Sequence, residues 1–201
     1  MIRPVNPCLK RLRGDTQGAT IVEFAIVAPV FIMLLLGLFE FGFQAYSQSV
    51  LQGALQAAAR NSTLEDGPAS AAELDAQVLK MVKRVVPGAD ITFTRKNYAN
   101  FEDVGQPEAF TDTNDDGICN NGEPFEDLNE NGLWDADRGA DGSGGARDAV
   151  LYTAVAEYSR MLPLAGLIDV SPNVKIEGRT VLRNQPFGEQ SGREPVIENC
   201  S

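Results

Sequence analysis

The chain has 201 residues, a formal net charge of −11 and no histidine. Without imidazole it is barred from Ser-His-Asp and Cys-His catalysis, from most zinc sites and from a histidine pH switch. Charge is segregated: residues 1–18 hold Arg3, Lys10, Arg11 and Arg13 against Asp15 alone, and the rest holds 13 basic and 27 acidic residues. An acidic body repels nucleic acid and anionic headgroups and favours divalent cations.

The first predicted element is the apolar run from Ala19 to Phe39, ATIVEFAIVAPVFIMLLLGLF, with Glu23 as its one charge. About 20 apolar residues at 1.5 Å each span a bilayer core, and the run has no polar face, so it reads as a membrane helix. The basic flank holds the N-terminus in the cytoplasm and sends the acidic body across. A cleaved secretory signal should be shorter and end in a small-residue site, whereas Glu40-Phe41-Gly42-Phe43 follows here. Pro29 removes one hydrogen bond in mid-helix and is expected to kink or loosen it.

Glu23 is costly in a bilayer and so marks a specific partner. If the chain is cut after Gly18, Ala19 gains a cationic α-amino group and Glu23 becomes the fifth residue. Side-by-side helices can then neutralise the amine of one subunit with the carboxylate of the next. The basic leader, Gly18, the four residues from Ala19 to Val22, then Glu23 and Phe24 resemble the type IV prepilin processing signal. The stretch GATIVEFAIVAPVFIMLLLGLFEFGFQAYSQSVLQGALQAAAR, residues 18–60, is similar to the TadE-like pseudopilins of the tight-adherence (Tad) pilus, and Val181–Phe187 resembles that family's closing segment. The resemblance implies cleavage between Gly18 and Ala19 by a prepilin peptidase and packing against other pilins or pseudopilins through the helix. It also implies a bacterial inner-membrane protein that can enter a surface filament.

Beyond Phe43 the helical pattern continues, with Tyr46, Val50, Leu51, Ala54, Leu55 and Ala58 as an apolar stripe and Ser47, Gln48, Gln52 and Gln56 opposite. Gly67-Pro68 ends it. Ser70 and Glu73 have capping-box spacing for a second helix, whose apolar face is Leu74, Val78, Met81, Val82 and Val85 and which Pro87-Gly88 stops. Ile91–Thr94, Ala149–Tyr158 and Val174–Leu182 read as strands. Helices first and strands later predict an α+β fold with a small antiparallel sheet on the long helix. The expected organisation is a leader (1–18), a transmembrane helix (19–43), a helical part with a short strand (44–110), an acidic insertion (111–145) and a β-rich end (146–201).

The insertion holds ten Asp or Glu against one Arg. Asp112-x-Asn114-x-Asp116-Gly117 followed by Glu123 matches the calcium-loop pattern D-x-[DN]-x-[DN]-G-x5-E at every defined position. Side chains at positions 1, 3 and 5, the carbonyl of Ile118 at 7 and a bidentate Glu at 12 make an oxygen cage for Ca²⁺; Mg²⁺ prefers fewer protein ligands. A second copy, Asp127-x-Asn129-x-Asn131-Gly132-x-x-Asp135, has Arg138 at position 12, so Asp135, Asp137 or Glu126 is expected to complete it, or the two loops to share ligands. A solvated acidic loop without metal is the competing reading. Of three cysteines, Cys8 precedes the membrane run; Cys119 and Cys200 follow it, where an oxidising compartment permits a bridge, with two separate thiols as the alternative.

The expected function is that of a minor pseudopilin stabilised by Ca²⁺. The alternative is an uncleaved, membrane-tethered, calcium-dependent binding module or adhesin. No nucleophile–base pair or phosphate-binding glycine loop points to an enzyme.

Overall fold

The computed structural model describes residues 17–62, 71–162, 166, 170–184 and 195–201. The basic leader with Cys8, the Gly67-Pro68 stop, the Ser70 cap and the Gln185–Phe187 end of the closing segment lie outside them.

Helix α1 (Gln17–Ser62) runs through Pro29 as one element of 46 residues, roughly 70 Å at the α-helical rise. Helix α2 (Ala71–Val82) follows, then strand β1 (Asp90–Tyr98) and a short 3₁₀ turn (Phe101–Asp103). Strands β2 (Pro124–Asp127) and β3 (Ala140–Asp141) come next. The long strands β4 (Ala149–Ser159) and β5 (Asn173–Arg183) precede β6 (Val196–Asn199). The main sheet is antiparallel in the order β3-β1-β4-β5, and β2 pairs with β6 in a second, two-stranded sheet. This is the expected α+β architecture.

Alternation along β4 buries Val150, Tyr152, Ala154, Ala156 and Tyr158, and β5 adds Val174, Ile176 and Leu182. Both helices cover that face, with Leu51, Ala54, Leu55 and Ala58 from α1 and Leu74, Val78 and Val82 from α2. At Gly178 a Cβ would stand 2.6 Å from Leu55 Cδ1. A side chain there would have to displace Leu55 and crowd Leu51 and Gln52.

On α1 Leu51, Ala54, Leu55 and Ala58 are buried as predicted, and the stripe departs from the prediction only at its start. Tyr46 is exposed, whereas Ser47 is buried. Gln48 and Gln52 are not on a solvent face: their amides donate to the β5 carbonyls of Glu177 (2.5 Å) and Arg179 (2.7 Å), and Gln52 Oε1 accepts from Arg179 N (3.3 Å). β5 is an edge strand, and side-chain amides one helical turn apart saturate part of its outer backbone. The reading of Ile91–Thr94 as a short strand is extended to nine residues by pairing with β4 along its whole length. Strands β2, β3 and β6 were not anticipated.

Candidate functional site

Two features stand apart from the packed body: the upper half of α1 and the acidic connection between β1 and β4. From Ile21 to Phe41 the helix exposes its large apolar side chains, Phe24, Ile26 and Phe41 among them at about 70%. The segment Thr20–Asn61 is long and apolar enough to cross a membrane. Gly18, Ala19, Glu23 and Phe24 lie in its first turns, with Gly18, Glu23 and Phe24 exposed. Where the apolar surface gives way to the body, Glu40 is buried and faces Arg160 Nη1 at 3.5 Å. A carboxylate removed from water requires such a partner. In the sequence Glu40 reads only as the residue that follows the apolar run.

The acidic segment leaves the main sheet after Tyr98, returns to its edge through β3 and re-enters it at Ala149. Its two motif copies share one backbone conformation through position 6 and part at positions 10 and 11, where Asn121 (φ 54°) and Gly122 (φ 79°) are left-handed and Ala136 and Asp137 are not. Position 4 is left-handed in both (Asp115 φ 58°, Glu130 φ 59°), and so is position 6 (Gly117 φ 75°, Gly132 φ 76°). Glycine at position 6 accepts this geometry without steric cost.

Hydrogen bonding repeats as faithfully. In the first loop Asp112 accepts from Asp116 N (3.2 Å) and Gly117 N (2.8 Å), Asn114 from Asp116 N (3.0 Å), and Asp116 from Ile118 N (2.8 Å). In the second, Asp127 accepts from Asn131 N (3.3 Å) and Gly132 N (2.7 Å), Asn129 from Asn131 N (3.1 Å), and Asn131 from Leu133 N (2.7 Å). Side-chain oxygens at positions 1, 3 and 5 are thereby gathered onto each loop's own N–H groups.

Glu123 closes the first loop, accepting from Thr113 N (2.7 Å), Thr113 Oγ1 (2.9 Å) and Asn120 N (3.3 Å). The Thr113 N–H bond is the main cause that holds its carboxyl below the usual range. Bonds from the Asn120 amide and the Ile118 N–H lower Asp116 likewise.

Of the residues expected to complete the second loop, Asp135 stays with that loop's position-3 and position-5 side chains, and Asp137 and Glu126 point elsewhere. Asp135 accepts from the amides of Asn129 (2.8 Å) and Asn131 (2.6 Å). Asp137 turns to Tyr98 Oη (2.9 Å) and Lys96 Nζ (3.1 Å). Glu126 is exposed on β2.

Cys119 and Cys200, 81 positions apart in sequence, form a disulfide with Cα atoms 5.4 Å apart. It ties the C-terminal strand to the first loop, where Cys200 N donates to Glu123 O (2.8 Å) and Gly122 N to Cys200 O (3.0 Å). The flanking helices of an EF-hand are absent among the described residues; β2, β6 and the bridge stand in their place.

Among the described residues no three His, Cys, Asp or Glu side chains converge as a metal-holding group. Asp112, Asp116 and Glu123, the three carboxylates of the first pattern, are not gathered into such a group, and the candidate donors of the two loops are Asp, Glu and Asn side chains and the position-7 carbonyl. The donors are hard oxygens throughout, the chemistry Ca²⁺ takes, and the nearby sulfur of Cys119 is locked in its bridge.

The fold is thus an α+β body on a helix of membrane-spanning length and composition. Residues 18–60 match the family model described as TadE-like protein, and over that segment the chain is TadE-like. No curated protein and no solved structure matches the chain.

Proposed function

We propose that the protein is a minor pseudopilin of a Tad-type pilus. It is held in the bacterial inner membrane by α1 with its N-terminus cytoplasmic, and released from its leader by a prepilin peptidase acting between Gly18 and Ala19. The observation that carries this reading is the division of one unbroken helix. The helix matches the TadE-like model along nearly its whole length; its N-terminal half exposes apolar side chains, and its C-terminal half is the spine of a folded head. Such a helix can leave the bilayer for a bundle of like helices, because its apolar surface is covered in either setting. After cleavage the Ala19 amine and Glu23 of a neighbouring subunit form the charge pair that sets the stagger.

The acidic segment binds Ca²⁺ in its two loops and stiffens the exposed part of the head. The matched motif and the repeated all-oxygen loops support this. The disulfide agrees with an extracytoplasmic head.

The test is the N-terminal residue and intact mass of the protein purified from membranes of strains with and without the peptidase. A chain starting at Ala19, and left uncut in the peptidase-deficient strain, is the expected result. A Met1 start in both strains overturns the pseudopilin reading and leaves a tethered calcium-dependent binding module.

A further inference from the structure

The second loop has Arg138 where the pattern calls for glutamate, and a second sequence repeat places a glutamate upstream. The string Glu108-x-Phe110-x-Asp112-x-Asn114 recurs fifteen residues later as Glu123-x-Phe125-x-Asp127-x-Asn129. The two copies meet at equivalent residues: Phe110 and Phe125 form an antiparallel bridge, with Thr111 N bonded to Pro124 O (2.9 Å) and Glu126 N to Ala109 O (2.8 Å). An antiparallel bridge has a local two-fold axis, and here it relates one repeat to the other. Such an axis must carry whatever Glu123 does in the first loop onto Glu108 in the second.

The hydrogen bonds agree. Glu123 accepts from the N–H groups of loop positions 2 and 9, Thr113 and Asn120. Glu108 accepts from positions 2 and 9 of the other loop, Leu128 N (2.9 Å) and Asp135 N (3.0 Å). Both glutamates are buried, at 1% and 2% exposure. Each carboxylate oxygen retains acceptor capacity beyond those N–H bonds.

Arg138, at position 12, serves this arrangement. It is paired with Asp103 (3.0 Å), and its Nε and Nη2 donate to Pro107 O (3.0 and 2.6 Å), anchoring the residue next to Glu108. Trp134 Nε1 donates to Glu108 O (2.9 Å) on the other side.

We infer that Glu108 supplies the position-12 ligand of the second calcium loop, so that each repeat's leading glutamate closes the other repeat's loop. The inference rests on the calcium reading above and assigns a residue that reading lacks. It makes the pair one unit: neither repeat alone contains a complete site.

The test uses the full chain in detergent micelles with its disulfide intact, titrated with Ca²⁺ by calorimetry. Fluorescence of Trp134, the one tryptophan, follows the second loop. Wild type is expected to bind two ions. Glu108→Gln should weaken one site by at least about tenfold and abolish the Trp134 response, with circular dichroism unchanged. Asp127→Asn should remove the same site, and the double variant should lose no more than either single one. Asp112→Asn should weaken the other site and keep the Trp134 response.

Two ions bound by Glu108→Gln with a wild-type Trp134 response overturn the inference and leave the calcium reading standing. So does a double variant that loses both sites. A wild type that binds no Ca²⁺ at millimolar concentration overturns both.

Discussion

The body and the acidic segment are built on opposite principles within one chain. The body is held by apolar burial: Leu51, Leu55, Val78, Tyr152 and Ala154 lose essentially all contact with water. The acidic segment buries Phe125, Glu108, Glu123 and Asp127, so three of its most enclosed side chains are carboxylates, and each is satisfied by backbone N–H groups. A sheet and two helices can enclose enough hydrocarbon to fold by burial; a segment dominated by Asp, Asn and Gly cannot. It depends on directed polar contacts and a covalent tie, so the two regions should fail under different insults.

The largest effect separating them should come from the bridge. Replacing Cys119 and Cys200 by serine frees a long closed loop and should cost about 4 kcal/mol by chain entropy. Loss of order should be confined to the acidic segment and β6. Hydrogen exchange checks it: rapid exchange at Glu126 and Cys200 with slow exchange kept at β4 is expected, and collapse of both regions together would dissolve the contrast.

Leu55→Ala is the converse. It opens a cavity where α1 crosses Gly178 and should cost the body about 3 kcal/mol. Thermal unfolding should shift for the sheet, whereas Trp134 fluorescence under native conditions should not change.

A subtler discrimination lies in pH. Asp116 and Glu123 are held below their ordinary values, the first mainly by the Asn120 amide and the second by the Thr113 N–H. Their contribution is present above the unfolded carboxylate range and is lost as pH falls through the lower folded values. Tyr152 moves the other way, raised by burial and by its bond to Asp75. Its neutral phenol is favoured in the fold, so that contribution is full below about pH 10 and declines as pH rises beyond it. Acid should loosen the acidic segment first and alkali the body first. Trp134 emission and far-ultraviolet dichroism, followed in parallel titrations, distinguish the two, and a single coincident transition at both extremes would refute the division.

Much of this molecule is legible from contiguous residues. An apolar run without a polar face marks a helix of membrane-spanning length and composition, alternation in β4 and β5 marks a half-buried sheet, and Asp-x-Asn-x-Asp-Gly dictates its own turn through side chain to backbone bonds a few residues away. In each case the partners are neighbours in sequence, so the pattern carries the structure.

What the sequence could not declare are contacts whose partners lie far along the chain. Ser47 rather than Tyr46 faces inward because the angle at which α1 meets the sheet decides its stripe. Glu40 is buried because Arg160 reaches it from beyond the end of β4. The Cys119–Cys200 bridge is expected from the sequence, but its closure through β6 laid beside β2 is not. Glu108 reaches the second loop across 20 and 27 residues, through a two-fold bridge that forms only when the two repeats pack. Local periodicity is written in the chain itself; which distant groups complete a buried charge or a loop is settled by the geometry of packing, where an unsatisfied carboxylate is too costly to leave.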